Sequence, residues 1–451
     1  MTTGKTKLTT EEIEENFADI NPAMTKAEAL VEANRCLYCY DAPCTHACPT
    51  HIDVPSFIKK IASDNLTGSA RVIFDANPIG ASCARVCPVE ALCEGACVEK
   101  TLVEKPIEIG RLQRYATDHA IENGKEIFKP GEPNGKSVGI IGSGPAGLSC
   151  ATYLARLGYA VTVYESKPLA GGLDTYGMAE YKMSKEDSLT EVRMVEQLGV
   201  EFRLNTSIVA GEDPSSANSL EAGRLRSDHD AIFIGIGLGG SNDLNIEGES
   251  LDGVYEALDF IEAVKTRDWN TVPLGNTVAV IGAGNTAIDA VTQAKRLGAE
   301  KVLMVYRKTE KDISAYDYEY ELAKSDGIEF VWQASPVEIV GNGSVSAMKC
   351  KKNDGTNEVF EIPCDMVIKA IGQKKQVQFF KQLGIEFDEK GRVKVNDKMQ
   401  TSDPMLFAGG DCVNGGAEAV DASQAGKLAA IGIHRTLFNE LVEFAGAEVS
   451  R

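Results

Sequence analysis

Basic residues, long apolar runs and histidine pairs are all scarce in this 451-residue sequence. Its 46 basic residues against 66 acidic ones give a net charge of −20, which makes nucleic acid and anionic membranes poor partners. No apolar run approaches the ~20 residues of a membrane span, and the polar N-terminus has no signal-peptide core. We therefore expect a cytoplasmic protein that binds neither membranes nor nucleic acid.

Metal and redox motifs are also rare outside one region. The five histidines show no spacing typical of a metal site. Four of the twelve cysteines are scattered, and no C-x-x-C motif lies near the glycine-rich loops described below. This absence argues against a dithiol mechanism at those loops. We assign no catalytic acid–base residue.

Cysteine is abundant between residues 36 and 97, where the other eight cysteines are found. The first run is C-x2-C-x4-C-x3-C-P, and the second is C-x3-C-P-x4-C-x3-C. Structural zinc and buried free thiols are the alternatives, but zinc sites usually show paired C-x2–4-C knuckles. Only one C-x2-C occurs here, and two of the cysteines precede proline as in ferredoxin runs. The pattern favours iron–sulfur clusters.

The sequence around these cysteines is typical of short helices. Residues 54–62 and 107–121 are amphipathic at helical spacing, and no strand pattern lies between 36 and 130. A Pro/Gly-rich linker follows at 129–135. We predict an α-helical iron–sulfur domain over residues 1–130.

Two dinucleotide-binding patterns follow the linker. The strand 137–141 leads into the G-x-G-x-x-G motif Gly142 to Gly147, and a second strand ends at Glu165. The strand 277–281 leads into the G-x-G-x-x-A motif Gly282 to Ala287, but Arg307 and Lys308 follow its second strand instead of an acid. Two such patterns in one chain predict two bound nucleotides.

The linking segments complete an α/β pattern. Apolar strands at 231–237 and 366–372 each end in glycine, and they indicate crossings between an outer domain and an inserted one. A further strand ends in Gly409-Gly410-Asp411, and a helix is predicted from about 417 to 437.

The first dinucleotide pattern and the distant Gly410-Asp411 together resemble the FAD domain of flavin-disulfide reductases. That resemblance implies a Rossmann-like FAD domain at 136–269 and 372–445, with an inserted NAD(P)H domain at 270–371. It assigns to FAD Gly142, Gly144, Pro145, Ala146, Gly147, Glu165, Gly171, Gly172, Leu173, Gly410 and Asp411. It assigns to the nicotinamide cofactor Gly282, Gly284, Asn285, Thr286, Arg307 and Lys308.

The fused cysteine region narrows the resemblance to two related groups of flavoproteins. They are the glutamate synthase small subunits and the FAD/NAD(P) part of dihydropyrimidine dehydrogenases. Gln113 favours the second group, which has an iron-ligating glutamine at that position where the glutamate synthase subunits have glutamate. The runs 234–239 and 369–373 also look like the bacterial two-subunit, NAD-dependent dihydropyrimidine dehydrogenase.

The resemblance implies two interleaved [4Fe–4S] sites. One would be held by Cys36, Cys39, Cys44 and Cys97. The other would be held by Cys48, Cys87, Cys93 and Gln113. Cys83 is then predicted not to be a ligand, and for Gln113 the alternative is a solvated helix residue.

Two lysines need separate mention. Lys182 stands where the family usually has arginine, in a segment that lacks the family's prolines, so no flavin or cluster contact is assigned to it. Lys427, on the predicted last helix, is a candidate neighbour of the pyrimidine edge of the flavin.

The resemblance implies an NAD(P)H-dependent flavoprotein that passes electrons to a partner subunit. That partner would contain FMN and iron–sulfur clusters and reduce uracil or thymine to the 5,6-dihydropyrimidine. Arg307 and Lys308 suit the 2′-phosphate of NADPH, since the site lacks the acid that NAD sites use, whereas the family implies NADH. Two alternatives stay open: a glutamate synthase or related electron-transfer subunit, and a stand-alone protein whose clusters are structural.

Overall fold

The computed structural model describes residues 8–210 and 219–446. None of the described helices is both long and apolar enough to cross a membrane. The chain divides into two compact units. The smaller unit comprises Tyr176–Lys185, Gly239–Lys374 and the described part of Met1–Ile20. The larger unit comprises Asn21–Thr175 and the described parts of Glu186–Leu238 and Lys375–Arg451.

The first third of the described chain is helical. Between residues 36 and 130 the structure has helices and no strand, which confirms the prediction of a helical cysteine region. The helices are α1 (Thr10–Asn16), α2 (Lys26–Ala33), α3 (Pro43–His46), α4 (Val54–Ala62), α5 (Leu66–Ala76), α6 (Gly80–Val86), α7 (Val98–Val103) and α8 (Ile109–Glu122).

The α/β part of the larger unit begins at Ser137. Its first run of elements is β1 (Ser137–Ile141), α9 (Pro145–Arg156), β2 (Ala160–Tyr164), α10 (Leu173–Tyr176), α11 (Lys185–Glu196), β3 (Glu201–Arg203), β4 (Ser207–Val209), β5 (Ser219–Glu221), α12 (Ala222–Asp228) and β6 (Ala231–Ile234).

The smaller unit holds the next run of elements. They are β7 (Val254–Glu256), α13 (Ala257–Thr266), β8 (Thr277–Ile281), α14 (Asn285–Arg296), β9 (Lys301–Val305), α15 (Asp317–Ser325), β10 (Glu329–Val331), β11 (Ala334–Gly341), β12 (Val345–Lys352), β13 (Val359–Pro363) and β14 (Met366–Lys369). The chain then returns to the larger unit with α16 (Val377–Gln382), β15 (Leu406–Ala408), α17 (Asp411–Asn414) and α18 (Ala419–Phe438).

Each unit is built on a five-stranded parallel sheet. The larger unit has the order β15-β6-β1-β2-β3, and the smaller unit has β10-β9-β8-β14-β7. The central strands β1, β6 and β8 are short and almost wholly buried, as expected for parallel sheets covered on both faces. A three-stranded antiparallel sheet, β11-β12-β13, completes the smaller unit. These are the two dinucleotide folds that the glycine motifs predicted.

Register brings the loops of each sheet to one edge. Ile141 pairs with Tyr164 and with Ile234, and Ile234 pairs with Ala408. Because the strands are parallel, the residues that follow these four positions share the carboxyl edge, where open α/β sheets bind ligands.

One apolar core joins the helical region to the sheet of the larger unit. Ile73 and Leu112 belong to the same buried cluster as Val138 and Leu148. In the smaller unit, α1 packs into the core, with Phe17 stacked on Trp269 at 5.0 Å between ring centroids. The predicted domain bounds stay a prediction. The compact smaller unit includes Gly239–Lys374 and so contains more residues than the predicted insertion at 270–371.

Candidate functional site

Four cysteines line one cavity in the helical region. They are Cys36, Cys39, Cys44 and Cys97, the set that the resemblance assigns to one cluster. Cys36 follows α2, Cys44 lies on α3 and Cys97 precedes α7, so segments distant in sequence supply the sulfurs. The rest of the wall is largely apolar and includes Ile58.

A second cavity contains the other predicted set. Cys48, Cys87, Cys93 and Gln113 all line it. Gln113, on α8, is 7% exposed, and its Nε2 donates to the carbonyl oxygen of Gly80 at 2.7 Å. Because the amide nitrogen is engaged, the side-chain oxygen is the atom that Gln113 can offer to a metal.

Cys83 lies at this second cavity too. Its Sγ accepts a hydrogen bond from Asn77 Nδ2 at 3.1 Å. The structure therefore brings a fifth potential donor to the site, and the exclusion of Cys83 from the ligand set stays a prediction.

The cysteines of both cavities are buried or half-buried thiols. Among the described residues, Cys, His, Asp and Glu form no group of three or more that could hold one metal ion. Burial raises the pKa of Cys44 to about 12 and that of Cys93 well above its usual range. Such thiols become thiolates beside the positive charge of bound iron, which deprotonates its sulfur ligands.

The glycines after β1 form the loop expected of an FAD site. Gly142 has φ +96°, and a Cβ there would lie 2.5 Å from the carbonyl oxygen of Gly235. A Cβ on Gly147 would lie 2.0 Å from the carbonyl oxygen of Gly142, so this turn cannot hold a larger residue. A Cβ on Gly144 would meet nothing nearer than 3.8 Å, which leaves open the space that a pyrophosphate needs.

Glu165 braces the same loop. Its Oε2 accepts hydrogen bonds from the backbone N–H of Ser143 at 3.1 Å and from the Ser143 hydroxyl at 2.6 Å. That hydroxyl in turn accepts a bond from the backbone N–H of Gly171 at 3.0 Å. The predicted contact residues at 142–147, at 165 and at the start of the 171–173 loop are therefore connected, with Leu173 at the surface as the first residue of α10.

Gly410 and Asp411 reach the loop from the other side. A Cβ on Gly410 would lie 3.1 Å from the Cβ of Ala146, and Pro145 begins the helix on which Ala146 lies. Asp411 begins α17 and accepts a hydrogen bond from Ala417 N–H at 3.1 Å. Burial raises the pKa of Asp411, although that hydrogen bond opposes the change. The structure thus brings the two distant halves of the predicted FAD site together.

The second glycine motif lies at the equivalent edge of the smaller unit. A Cβ on Gly282 would lie 2.2 Å from the carbonyl oxygen of Ala370, whereas one on Gly284 would have Ser314 Oγ as its nearest atom at 3.5 Å. Asn285 and Thr286 begin α14, and Asn285 Oδ1 accepts a bond from Tyr316 N–H at 3.1 Å.

Arg307 and Lys308 follow β9, and both are exposed. Their backbone is fixed, since the carbonyl oxygen of Arg307 accepts from Asn353 Nδ2 at 2.7 Å and that of Lys308 accepts from Gln333 N–H at 2.9 Å. Within residues 8–210 and 219–446, neither side chain is engaged in an ion pair. Both cations face solvent, and Lys308 lies near enough to Asp312 to help lower the pKa of that carboxyl group.

The two lysines occupy positions that the sequence did not indicate. Lys182 is buried in the smaller unit, with its Nζ 2.6 Å from Asp289 and 2.5 Å from Glu319. Lys427 is fully buried, and its Nζ donates to the carbonyl oxygens of Ala445 at 2.9 Å and Thr50 at 3.2 Å. The Lys427 ammonium is thus bound to Thr50, which lies two residues after Cys48 in the sequence.

Comparisons with known proteins agree with this architecture. The pyridine nucleotide-disulphide oxidoreductase family model matches residues 136–426, and the model of the 4Fe-4S domain II of dihydropyrimidine dehydrogenase matches residues 13–125. The chain is therefore an oxidoreductase of the pyridine nucleotide-disulphide oxidoreductase family, a flavoprotein with FAD and NAD(P) domains and an iron–sulfur domain.

Its curated relatives define the branch of that family. The chain is 34% identical to the glutamate synthase [NADPH] small chain of Escherichia coli K12, covering 92% of this chain and 93% of the relative. It is 33% identical to the NAD-dependent dihydropyrimidine dehydrogenase subunit PreT of the same organism, covering 94% and 98%. The chain belongs to the flavoprotein family that contains these two subunits.

Solved structures share the fold of the α/β part. The Lactococcus lactis thioredoxin reductase matches with a TM-score of 0.54 and 26% identity, over 68% of this chain and all of that one. The T. acidophilum thioredoxin reductase matches with a TM-score of 0.53 and 24% identity, over 66% of this chain and 98% of that one. These similarities concern the flavoprotein fold.

Proposed function

We propose that this chain is the electron-input subunit of a two-subunit dihydropyrimidine dehydrogenase. It would oxidise NADH at its FAD and deliver electrons through two [4Fe–4S] clusters to an FMN-containing partner that reduces uracil or thymine. The observation that carries the proposal is the second cavity, where Gln113, buried and with its amide nitrogen bonded to Gly80, lies among Cys48, Cys87 and Cys93.

The residues of the chain have holding and orienting roles in this proposal. FAD held by these residues would supply the chemistry that accepts hydride from a nicotinamide and passes single electrons to iron–sulfur clusters. The opening at Gly144 receives the FAD pyrophosphate at the start of α9, and Glu165 takes ribose hydroxyls. Asp411 holds the flavin chain, and the opening at Gly284 receives the nicotinamide dinucleotide at the start of α14.

The two cysteine cavities supply the ligands. The four sulfurs of the first cavity hold one cluster, and the three sulfurs and the Gln113 oxygen of the second hold the other. The last helix of the flavoprotein part borders the second cavity through Val420, so the flavin-binding half and this cluster share one wall. All twelve cysteines are unpaired, which suits the reducing cytoplasm that we assign to the protein.

A glutamate synthase small subunit is the second candidate. The relative of that name is as similar as the dihydropyrimidine dehydrogenase subunit, at 34% and 33% identity. Gln113 supports the first candidate, because the resemblance gives dihydropyrimidine dehydrogenases a glutamine at this position and glutamate synthase subunits a glutamate. A neutral amide and a carboxylate would also give the cluster different charges.

The deciding experiment isolates the chain together with the subunit that co-purifies with it. We expect NADH-dependent loss of uracil and formation of dihydrouracil by the complex, and no uracil reduction by the chain alone. Formation of glutamate from glutamine and 2-oxoglutarate, without uracil reduction, would move the assignment to the second candidate.

A further inference from the structure

A buried carboxyl group lies behind the second cavity, outside every ligand set described above. It belongs to Glu191 on α11, which is 1% exposed. Its Oε1 accepts a bond from Ala81 N–H at 2.7 Å, and its Oε2 accepts from Ser82 N–H at 3.1 Å and from the Ser82 hydroxyl. These donors are in the first turn of α6, whose N-cap residue Ile79 offers no side-chain cap. Glu191 therefore supplies the cap from a distant part of the chain.

The same turn of α6 holds the amide of Gln113. The carbonyl of Gly80 accepts the bond from Gln113 Nε2 at 2.7 Å, and the N–H of Ala81 donates to Glu191. This C=O and this N–H belong to one peptide group. A single planar unit thus connects the Glu191 carboxylate to the Gln113 side chain, and bonds in such a chain polarise one another.

The connection has a directional consequence for Gln113. The bond to Gly80 fixes the position of the amide nitrogen, and the oxygen is the acceptor atom that the same amide can offer to the cavity lined by Cys48, Cys87 and Cys93. If the peptide tilted, the amide would be free to rotate. A neutral amide is a weak ligand, so it depends more on a fixed orientation than a thiolate does.

The charge around Glu191 is unusual for a simple helix cap. Burial, with a contribution from Asp174, raises the pKa of Glu191 to about 8, although the bonds from α6 oppose that change. Asp174 is itself 1% exposed and follows the Gly171–Leu173 loop assigned to FAD. The bonds from α6 therefore hold a carboxyl group in an interior where burial opposes its charge.

We infer that Glu191 is a positioning residue for the second cluster, acting through the Gly80–Ala81 peptide to aim the Gln113 oxygen at the iron. This inference rests on the proposed ligand set. Residues that orient a metal ligand through hydrogen bonds typically contribute about 10–100-fold to metal affinity. Glu191 would have this role toward Gln113.

The test uses the full chain with its cofactors and compares E191Q with E196Q. Glu196 is on the same helix but exposed, so it controls for the loss of a carboxylate. The comparison is made above pH 8, where Glu191 is ionised, because the new amide NH2 of E191Q then faces N–H and O–H donors that the carboxylate accepts and at least one bond to α6 is lost. We expect E191Q to lose the cluster beside Gln113 at a chelator concentration at least about tenfold lower than the wild type needs. The electron paramagnetic resonance (EPR) signal of that cluster should also change. The all-cysteine cluster should not change.

A milder variant guards against a failure to fold. Ser82→Ala removes one bond and keeps both backbone bonds to Glu191, so we expect a smaller change in the same EPR signal. If E191Q does not fold, this variant decides alone, and an unchanged signal overturns the inference. Equal changes in both clusters would also overturn it, because they would indicate a general packing role.

An error in the proposed ligand set can be distinguished from an error in the role of Glu191. Gln113→Ala should alter one cluster signal and leave the other. If it alters neither, the ligand set is wrong, whatever Glu191 does. If Gln113→Ala alters one signal while E191Q and S82A alter none, only the role of Glu191 is wrong.

Discussion

The ammonium nitrogen of Lys182 lies 2.6 Å from Asp289 in the interior of the smaller unit. Glu319 lies 2.5 Å from the same nitrogen, and the hydroxyl of Tyr181 donates to Asp289 at 3.2 Å. Burial alone would lower the pKa of Lys182, but the two carboxylates hold it above its usual value. This network fixes the segment 176–185 on helices α14 and α15, far from it in sequence.

Removing Lys182 should therefore destabilise the smaller unit strongly. We expect Lys182→Met to cost about 3–5 kcal/mol, because it leaves two buried carboxylates without their cation. Lys301→Met is the matched control, since Lys301 pairs with Glu329 at 2.9 Å on the surface and should cost at most about 1 kcal/mol. Thermal melting with a probe in the smaller unit measures both, and equal effects would contradict the network's importance.

The two cysteine sets should behave as independent sites. Cys36→Ser should remove one cluster and Cys48→Ser the other, each lowering iron content by about half. Cys83→Ser should leave both clusters in place, because Cys83 is not a predicted ligand. Iron analysis with EPR spectroscopy separates the sites. Loss of the second cluster in Cys83→Ser would make Cys83 a ligand in place of Gln113.

Two glycines offer a way to block one nucleotide at a time. Alanine fits at Gly144 and at Gly284 in the protein itself, since the nearest atoms to the added Cβ lie at 3.8 and 3.5 Å. The added methyl group would occupy the proposed pyrophosphate space. Gly144→Ala should weaken FAD binding by about tenfold or more, or ~1.4 kcal/mol, and Gly284→Ala should raise KM for NADH with FAD retained. Normal FAD content in purified Gly144→Ala would contradict the first assignment.

The choice of nucleotide should depend on Arg307 and Lys308. A charge-assisted bond to a 2′-phosphate is worth about 1.5–3 kcal/mol, so the double change to glutamine should lower kcat/KM for NADPH about tenfold or more. Activity with NADH should hardly change. The exposed Lys311 provides the control substitution. Equal losses of kcat/KM with NADH and NADPH would show that these cations do not recognise the 2′-phosphate.

The pKa of Glu191 gives a stability prediction with a definite sign. Its folded value of about 8 lies above the usual 4.5, so its protonated form is the one that the folded state favours. The stability that Glu191 contributes is fully present below about pH 4.5 and is lost as the pH rises toward 8. The wild type should lose stability relative to E191Q over this range, as measured by paired melting curves. A constant difference between pH 5 and 8 would contradict the raised pKa.

Local chemistry made much of the fold and site predictable. The helical cysteine region, both glycine loops and the strands around them are confirmed, because each depends on residues close together in sequence. At Gly142, Gly147 and Gly282 an added Cβ would lie within 2.5 Å of a carbonyl oxygen. The backbone therefore requires glycine at these three positions of the motifs. The pairing of cysteines from two runs into two cavities came from the family resemblance.

Other features depend on packing between distant segments and gave no local signal. Nothing in residues 8–20 or 176–185 indicates that they pack in the smaller unit. The carboxyl partners of Lys182 are more than a hundred residues away, and the bond between Glu191 and α6 is similarly long-range. The sequence likewise gave no signal for the bonds of the Lys427 ammonium to the carbonyl oxygens of Thr50 and Ala445, and its place beside the flavin stays a prediction.

The most direct measurement is an anaerobic titration of the isolated chain with NADH, followed by absorbance for FAD and by EPR for the clusters. The account predicts that bleaching of FAD is accompanied by reduced-cluster signals from both cavities. If FAD is bleached while both clusters stay oxidised, electrons do not leave the flavin by this route, and the electron-input function is contradicted.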